Sequence, residues 1–158
     1  MGLECKAFYK SPIGIIEITA EDNVVTGVAF AAKEPVHGLQ EETGNETLKR
    51  CVEQLDQYFR GERKKFSVEL KLQGTDFQNR VWKEVMKIPF GKAASYKDIA
   101  KAVGNPRMAR AVGNANGKNR IAVIIPCHRV IGSNGCLAGY AWGLWRKEWL
   151  LRHEGITV

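Results

Sequence analysis

The chain has no apolar run long enough to cross a bilayer, and no signal-peptide pattern follows Met1. The expectation is a soluble cytoplasmic protein, nuclear if the source is eukaryotic, with no membrane partner. Internal repeats and low-complexity segments are also missing, which excludes solenoids and disordered tails. Acidic residues are in deficit: 17 Asp+Glu against 24 Lys+Arg leave a formal charge of +7. That balance favours polyanionic partners such as nucleic acid or an acidic membrane surface. Cysteine is scarce, and Cys5, Cys51, Cys127 and Cys136 never fall at Cys-x-x-Cys spacing, so the usual zinc and thioredoxin-like patterns are excluded. Unpaired thiols are the default inside cells. What is present is enough for a core. With 44% hydrophobic residues over 158 positions, the chain needs no staples to fold as one ordinary domain or two small ones.

The first half has the pattern of a small α+β unit. Ile13, Ile15, Ile16 and Ile18 follow Ser11-Pro12, and a second β-branched run, Val24 to Phe30, follows the polar Glu21-Asp22-Asn23. The pair predicts a hairpin. Residues 31–46, with Pro35, Gly38 and Gly44, make a connection. Leu48, Cys51, Val52, Leu55 and Phe59 then recur at helical spacing, with Gly61 where a C-terminal cap belongs. Phe66, Val68, Leu70 and Leu72 alternate with polar residues and predict a strand. Gln73-Gly74-Thr75 marks a boundary, giving domains at 1–72 and 73–158. Phe77, Val81, Trp82, Val85 and Ile88 define an amphipathic helix stopped by Pro89 and Gly91. Ser95 and Asp98 form a capping box for a helix bearing Ile99, Ala102 and Val103, ended by Gly104. Asn105-Pro106 starts another helix with an N-cap and a first-turn proline. Two helices across a short Gly-containing turn are the helix-turn-helix arrangement.

If Ala109 and Val112 of that second helix face the core, Arg107, Arg110 and Asn114 project outward. Basic groups beside the very small Ala111 and Gly113 suit close approach to a phosphate backbone or a narrow groove, although a solvated helix face has the same pattern. A sharper signal lies downstream. The apolar run Ile121–Ile125 breaks at Pro126, and Cys127-His128-Arg129-Val130 follows at once. A nucleophilic cysteine needs its thiolate favoured by a nearby imidazole or cation. The imidazole needs an orienting partner on its other nitrogen, for which Glu154 is a candidate. Spacing alone leaves both a chance Cys-His pair and a nucleophile open.

Pro126-Cys127-His128-Arg129-Val130 resembles the active-site pentapeptide of the O6-alkylguanine-DNA alkyltransferases. Further matches follow in family order: Gly74-Thr75-x-Phe77-Gln78-x-x-Val81-Trp82, Ile88-Pro89-x-Gly91, Ser95-Tyr96-x-x-Ile99-Ala100 and Arg110-Ala111-Val112-Gly113-x-Ala115-Asn116-Gly117. Gly139-Tyr140-x-x-Gly143-Leu144 and Lys147-x-x-Leu150-Leu151-x-x-Glu154 close the series. The likeness covers about residues 74 to 154; earlier, only Ser11-Pro12-x-Gly14 is similar.

The resemblance implies an α+β fold: a small N-terminal sheet-plus-helix domain, then a mostly helical C-terminal domain with a winged helix-turn-helix. It implies stoichiometric repair, with the alkyl group of O6-alkylguanine, and of O4-alkylthymine, moved from duplex DNA to Cys127. His128 would help deprotonate Cys127 through a water, oriented by Glu154. Asn119 would brace the turn, and Tyr96 would give a proton toward the departing guanine. Arg110 would enter the base stack from the minor groove as the nucleotide flips out. Ser95, Arg107, Ala109, Ala111, Gly113 and Asn114 would lie against DNA. Val130, Tyr140, Ala141 and Trp142 would hold the base. A monomer with no cofactor is expected.

Some positions depart from the family pattern. Arg120 replaces a common proline, Met108 a small residue, Ala138 a frequent glycine, and Trp142 the glycine of some relatives, where its bulk would narrow the pocket. Some relatives hold zinc in the N-terminal domain, but Glu21 and Thr26 fall near where ligands beside Cys5 would be needed, so no metal is expected. Three competing readings are a helix-turn-helix module that binds alkylated bases without repair, a cysteine hydrolase using Cys127 and His128, and a basic structural protein. The first type lacks the reactive cysteine. The second needs an oxyanion hole of which the sequence has no sign. The ordered matches oppose the third.

Overall fold

The computed structural model describes residues 4–33, 45–137 and 139–158. They form two compact units. One comprises the chain to Leu72 together with Arg120–Ala122, and the other Gln73–Asn119 with Val123–Val158. The connection at Pro35, Gly38 and Gly44, and Ala138, lie outside the described residues.

The first unit is an antiparallel meander of β1 (Glu4–Ser11), β2 (Gly14–Glu21) and β3 (Val24–Phe30), with helix α1 (Glu46–Phe59) packed on β1 and β2. The expected hairpin is β2–β3, turning at Asp22 with φ 51°, a left-handed position that a short polar side chain tolerates. The sequence reading missed β1, whose alternation is blurred by Cys5, Ala7 and Tyr9. Its turn into β2 is tied locally: Ile13 N–H donates to Ser11 Oγ at 3.2 Å, and that hydroxyl donates to the Gly14 carbonyl at 2.6 Å. Ile16, Ile18, Val25 and Val28 meet Leu48, Cys51 and Leu55 of α1 in the core, all fully buried or nearly so. Each such aliphatic side chain contributes roughly 1.5–3 kcal/mol. Asn45 caps α1 by accepting from Leu48 N–H at 3.0 Å, and Gly61, at φ +79°, follows its end.

The expected strand over Phe66–Leu72 is only a single bridge, Leu70 to Val25. Its alternating exposure is real, but its backbone is engaged elsewhere: Ser67 N–H donates to the Gln54 side chain at 2.9 Å. Side-chain pairing replaces the ladder that alternation predicts.

The second unit holds α2 (Asp76–Val85), α3 (Tyr96–Ala102), α4 (Ala109–Gly117) and α5 (Leu144–His153), with a two-residue parallel pair, β4 (Ala94–Ser95) and β5 (Val130–Ile131). Helix α2 starts at a Thr75/Gln78 capping box and stops at Val85, three residues short of Ile88. Turns leading to Gly91, at φ +81°, take over, and Ile88 remains buried. Trp82 reaches from α2 to α4, where its indole N–H donates to the Ala115 carbonyl at 2.8 Å. Gly74 is required beside it, because a Cβ there would stand 2.5 Å from the Trp82 ring. The predicted helix at Asn105-Pro106 begins as a 3-10 turn, Pro106–Met108, before α4 takes over and runs two residues beyond Ala115.

Candidate active site

A tight turn presents Cys127. Pro126 sits at φ −80°, ψ 61°, and Cys127 N–H donates to the Ile125 carbonyl at 2.7 Å, an inverse γ-turn for which a proline ring is already set. Two asparagines fasten it. Asn119 Nδ2 donates to the Ile125 carbonyl at 3.0 Å and lies 3.2 Å from Cys127 Sγ, and Asn116 Nδ2 donates to the Cys127 carbonyl at 3.2 Å. The thiol is buried at one wall of a cavity of about 320 Å³. Tyr96 and Gly113 line this cavity from α3 and α4, and Tyr140, Ala141 and Trp142 line it from the segment before α5.

Behind the turn lies a fully buried ionic group. Glu154, at the C-terminal end of α5, accepts from His128 Nε2 through Oε2 at 2.7 Å. Arg129 donates to the same carboxylate, Nε to Oε1 at 2.7 Å and Nη2 to Oε2 at 3.0 Å, while its Nη1 donates to the Ile88 carbonyl at 2.7 Å. Gly91 N–H adds a longer bond to Oε1 at 3.3 Å. These partners outweigh burial and hold the Glu154 carboxyl well below the usual carboxylate range. An ionised Glu154 can only accept, so His128 Nε2 carries the proton and Nδ1 presents a lone pair. That Nδ1 is buried without a protein partner. Burial lowers the His128 pKa, and the imidazole stays neutral near pH 7.

Burial also pushes the Cys127 thiol up; the Asn119 bond, the Lys147 charge and the Tyr140 hydroxyl pull it back in part. Lys147 is itself wholly buried, donating to the carbonyls of Val130 at 2.6 Å and Gly139 at 3.2 Å. Desolvation brings its pKa down to about 8, opposed by Cys127. The Tyr96 hydroxyl is raised, by burial first and by Cys127 second, so it remains a proton donor at neutral pH.

The structure brings Cys127, His128, Glu154, Asn119 and Tyr96 into one unit of the fold, and Tyr140, Ala141 and Trp142 onto the same cavity as Cys127. Val130 is buried in β5, its carbonyl taken by Lys147, and does not line the cavity. Arg107, Arg110 and Asn114 are exposed on the helix-turn-helix, as are Pro106 and Lys118 beside them. Ala109, Ala111 and Gly113 are part-buried, and Ser95 is occupied in the capping box with Asp98. Sequence reasoning gave no role to Arg129, Lys147 or Asn116. Lys147 carried a signal, since it stands three and four residues before the buried Leu150 and Leu151, on the apolar stripe of α5.

Comparison with known proteins agrees with this geometry. Residues 76–156 match the family described as 6-O-methylguanine DNA methyltransferase, DNA binding domain, and residues 5–72 its ribonuclease-like domain. The likeness thus extends across the first half, where the motifs alone showed little. A methylated-DNA–protein-cysteine methyltransferase of Methanosarcina acetivorans is 46% identical over 94% of this chain and 97% of its own. A constitutive one of Bacillus subtilis is 43% identical over 94% and 93%. The crystal structure of the Mycobacterium tuberculosis O6-methylguanine methyltransferase superposes with a TM-score of 0.85 at 43% identity, covering 96% of this chain and 93% of that one. The same organism's protein in complex with DNA gives 0.85 at 44% identity, covering 94% and 91%. With both halves matched and relatives this similar over nearly their whole length, the chain belongs to the 6-O-methylguanine DNA methyltransferase family.

Proposed function

We propose that this protein repairs duplex DNA by direct reversal, moving the alkyl group of O6-alkylguanine, and of O4-alkylthymine, onto Cys127 Sγ once per molecule. The observation that carries the reading is a buried thiol on the wall of a cavity, backed by a neutral imidazole whose unprotonated nitrogen is set by an ionised Glu154. A thiol raised by burial is protonated at rest and needs a base. Through a bridging water, His128 Nδ1 takes the proton, and Glu154 stabilises the imidazolium that results. Lys147 lowers the cost of the thiolate by its charge. The thiolate then attacks the saturated carbon on O6: the S–C bond forms, the C–O bond breaks, and the electron pair goes to guanine. Tyr96 supplies a proton toward the leaving base, offsetting its charge. The product is a thioether, and no group in the site is suited to cleaving it, so one turnover follows.

The helix-turn-helix face supplies the DNA contact. Arg110, exposed on the first turn of α4, enters the stack from the minor groove and fills the space of the flipped nucleotide. Ser95, Arg107 and Asn114 contact the backbone, and the small Ala109, Ala111 and Gly113 allow close approach. Tyr140, Ala141 and Trp142 hold the flipped base. The protein acts as a monomer, with the domain boundary between Leu72 and Gln73.

Intact and peptide mass spectrometry after incubation with a duplex carrying one O6-methylguanine tests this. One methyl gained, on Cys127 and absent from Cys127→Ala, supports it. Tight binding without mass gain would mean a recognition module instead.

A further inference from the structure

Trp142 lines the cavity that holds Cys127, and what keeps it there is outside the machinery described above. The turn closes with Gly143 N–H donating to the Tyr140 carbonyl at 3.0 Å. The Trp142 carbonyl accepts from Arg146 Nη1 at 3.0 Å. The Arg146 guanidinium lies 4.5 Å from the centroid of the Trp145 ring. That ring rests against Gly143, where a Cβ would meet Trp145 Cδ1 at 3.2 Å and Nε1 at 3.3 Å, and where φ is +98°. Three contacts in series therefore join the cavity lip to the first turn of α5. Trp145 is 56% exposed, so its indole does not serve the core. Its stated packing is local, one face toward Arg146 and an edge toward Gly143.

We infer that Arg146, stacked on Trp145, is a positioning residue for substrate specificity: it latches the Trp142 carbonyl so that residues 140–143 narrow the cavity against O6 substituents larger than methyl. A charged donor fixed by a planar stack holds a carbonyl in one place better than a free side chain does. The bulk of Trp142 discriminates only while its backbone stays put; released, the turn can move outward and admit a larger group. This inference rests on the proposed transfer to Cys127.

The test is the ratio of single-turnover rates on O6-benzylguanine and O6-methylguanine in the same duplex, since any lost contact to DNA then cancels. Trp145→Ala and Arg146→Ala raise the benzyl-to-methyl ratio about fivefold or more, within the range of pocket discrimination by small apolar differences. Arg146→Lys keeps a cation and a donor, and Trp145→Phe keeps a ring, so both stay near the parent ratio. Trp145, being largely exposed, is the substitution least able to disturb folding, and its ratio decides the matter if Arg146→Ala does not fold. An unchanged ratio in Trp145→Ala, with methyl transfer intact, overturns the latch alone. Absence of methyl transfer by the parent protein overturns the transfer reading and the latch with it.

Discussion

Glu154 shares one oxygen, Oε2, between His128 Nε2 at 2.7 Å and Arg129 Nη2 at 3.0 Å. A carboxylate with a single partner would be drawn toward whichever group titrates. Here the guanidinium already neutralises it, and the imidazole can gain or lose a proton without changing the Glu154 charge. The three side chains are buried together, where an unmatched charge is strongly unfavourable.

Glu154→Gln leaves the Arg129 guanidinium buried without its counter-charge. Removing one partner of a buried pair costs about 3–5 kcal/mol, which urea unfolding will show as a lower midpoint. Methyl transfer slows on the order of 100-fold, because the base loses its orienting acceptor. A variant as stable and as fast as the parent would contradict the arrangement.

Acid should destabilise the protein in two windows. Both His128 and Glu154 have folded pKa values below their ordinary ones of 6.5 and 4.5. For a lowered pKa the unfolded chain binds the proton more readily, so the stabilisation is complete above the ordinary value and is lost as pH falls through the folded one. Unfolding midpoints should therefore decline below about pH 6.5 and again below about 4.5, the region of the ordinary His and Glu values. In His128→Gln the upper decline disappears; its persistence would assign it elsewhere.

Lys147→Met removes the buried charge that pulls the Cys127 thiol down. One pKa unit corresponds to about 1.4 kcal/mol, so a roughly tenfold slower methyl transfer near pH 7 is expected. The parent Lys147 itself becomes neutral above about 8, and the two rate profiles should converge there. A constant ratio from pH 7 to 9 would point to lost packing instead.

Arg110→Ala should spare transfer from the free O6-methylguanine base and slow transfer from duplex DNA by about tenfold or more, because extruding a nucleotide costs a few kcal/mol that the inserted side chain helps to offset. Equal slowing on both substrates would place Arg110 in folding rather than in base flipping.

Periodicity carried much of the fold. The Leu48–Phe59 spacing and the Ser95/Asp98 box correspond to α1 and to the start of α3, since helix faces and caps are written within a few residues. Phe66–Leu72 shows the limit: its alternation is as regular as that of a strand, yet the Gln54 side chain takes the Ser67 amide. Strand pairing depends on a distant partner, and β1 was missed for the same reason, its apolar positions being too weak without knowledge of β2 beside it.

The sequence by itself determined the reactive pair and its setting: a proline turn, Cys127 and His128 in succession, and a basic helix-turn-helix face. These are local, and adjacency along the chain guarantees adjacency in space. Only the tertiary structure decided that Glu154 is a buried anion shared by His128 and Arg129, that Lys147 is a buried cation held by two carbonyls, and that Arg146 and Trp145 brace the cavity lip. Charge states in a protein follow from desolvation and from the groups packed around each side chain, and both are set by parts of the chain that meet only on folding.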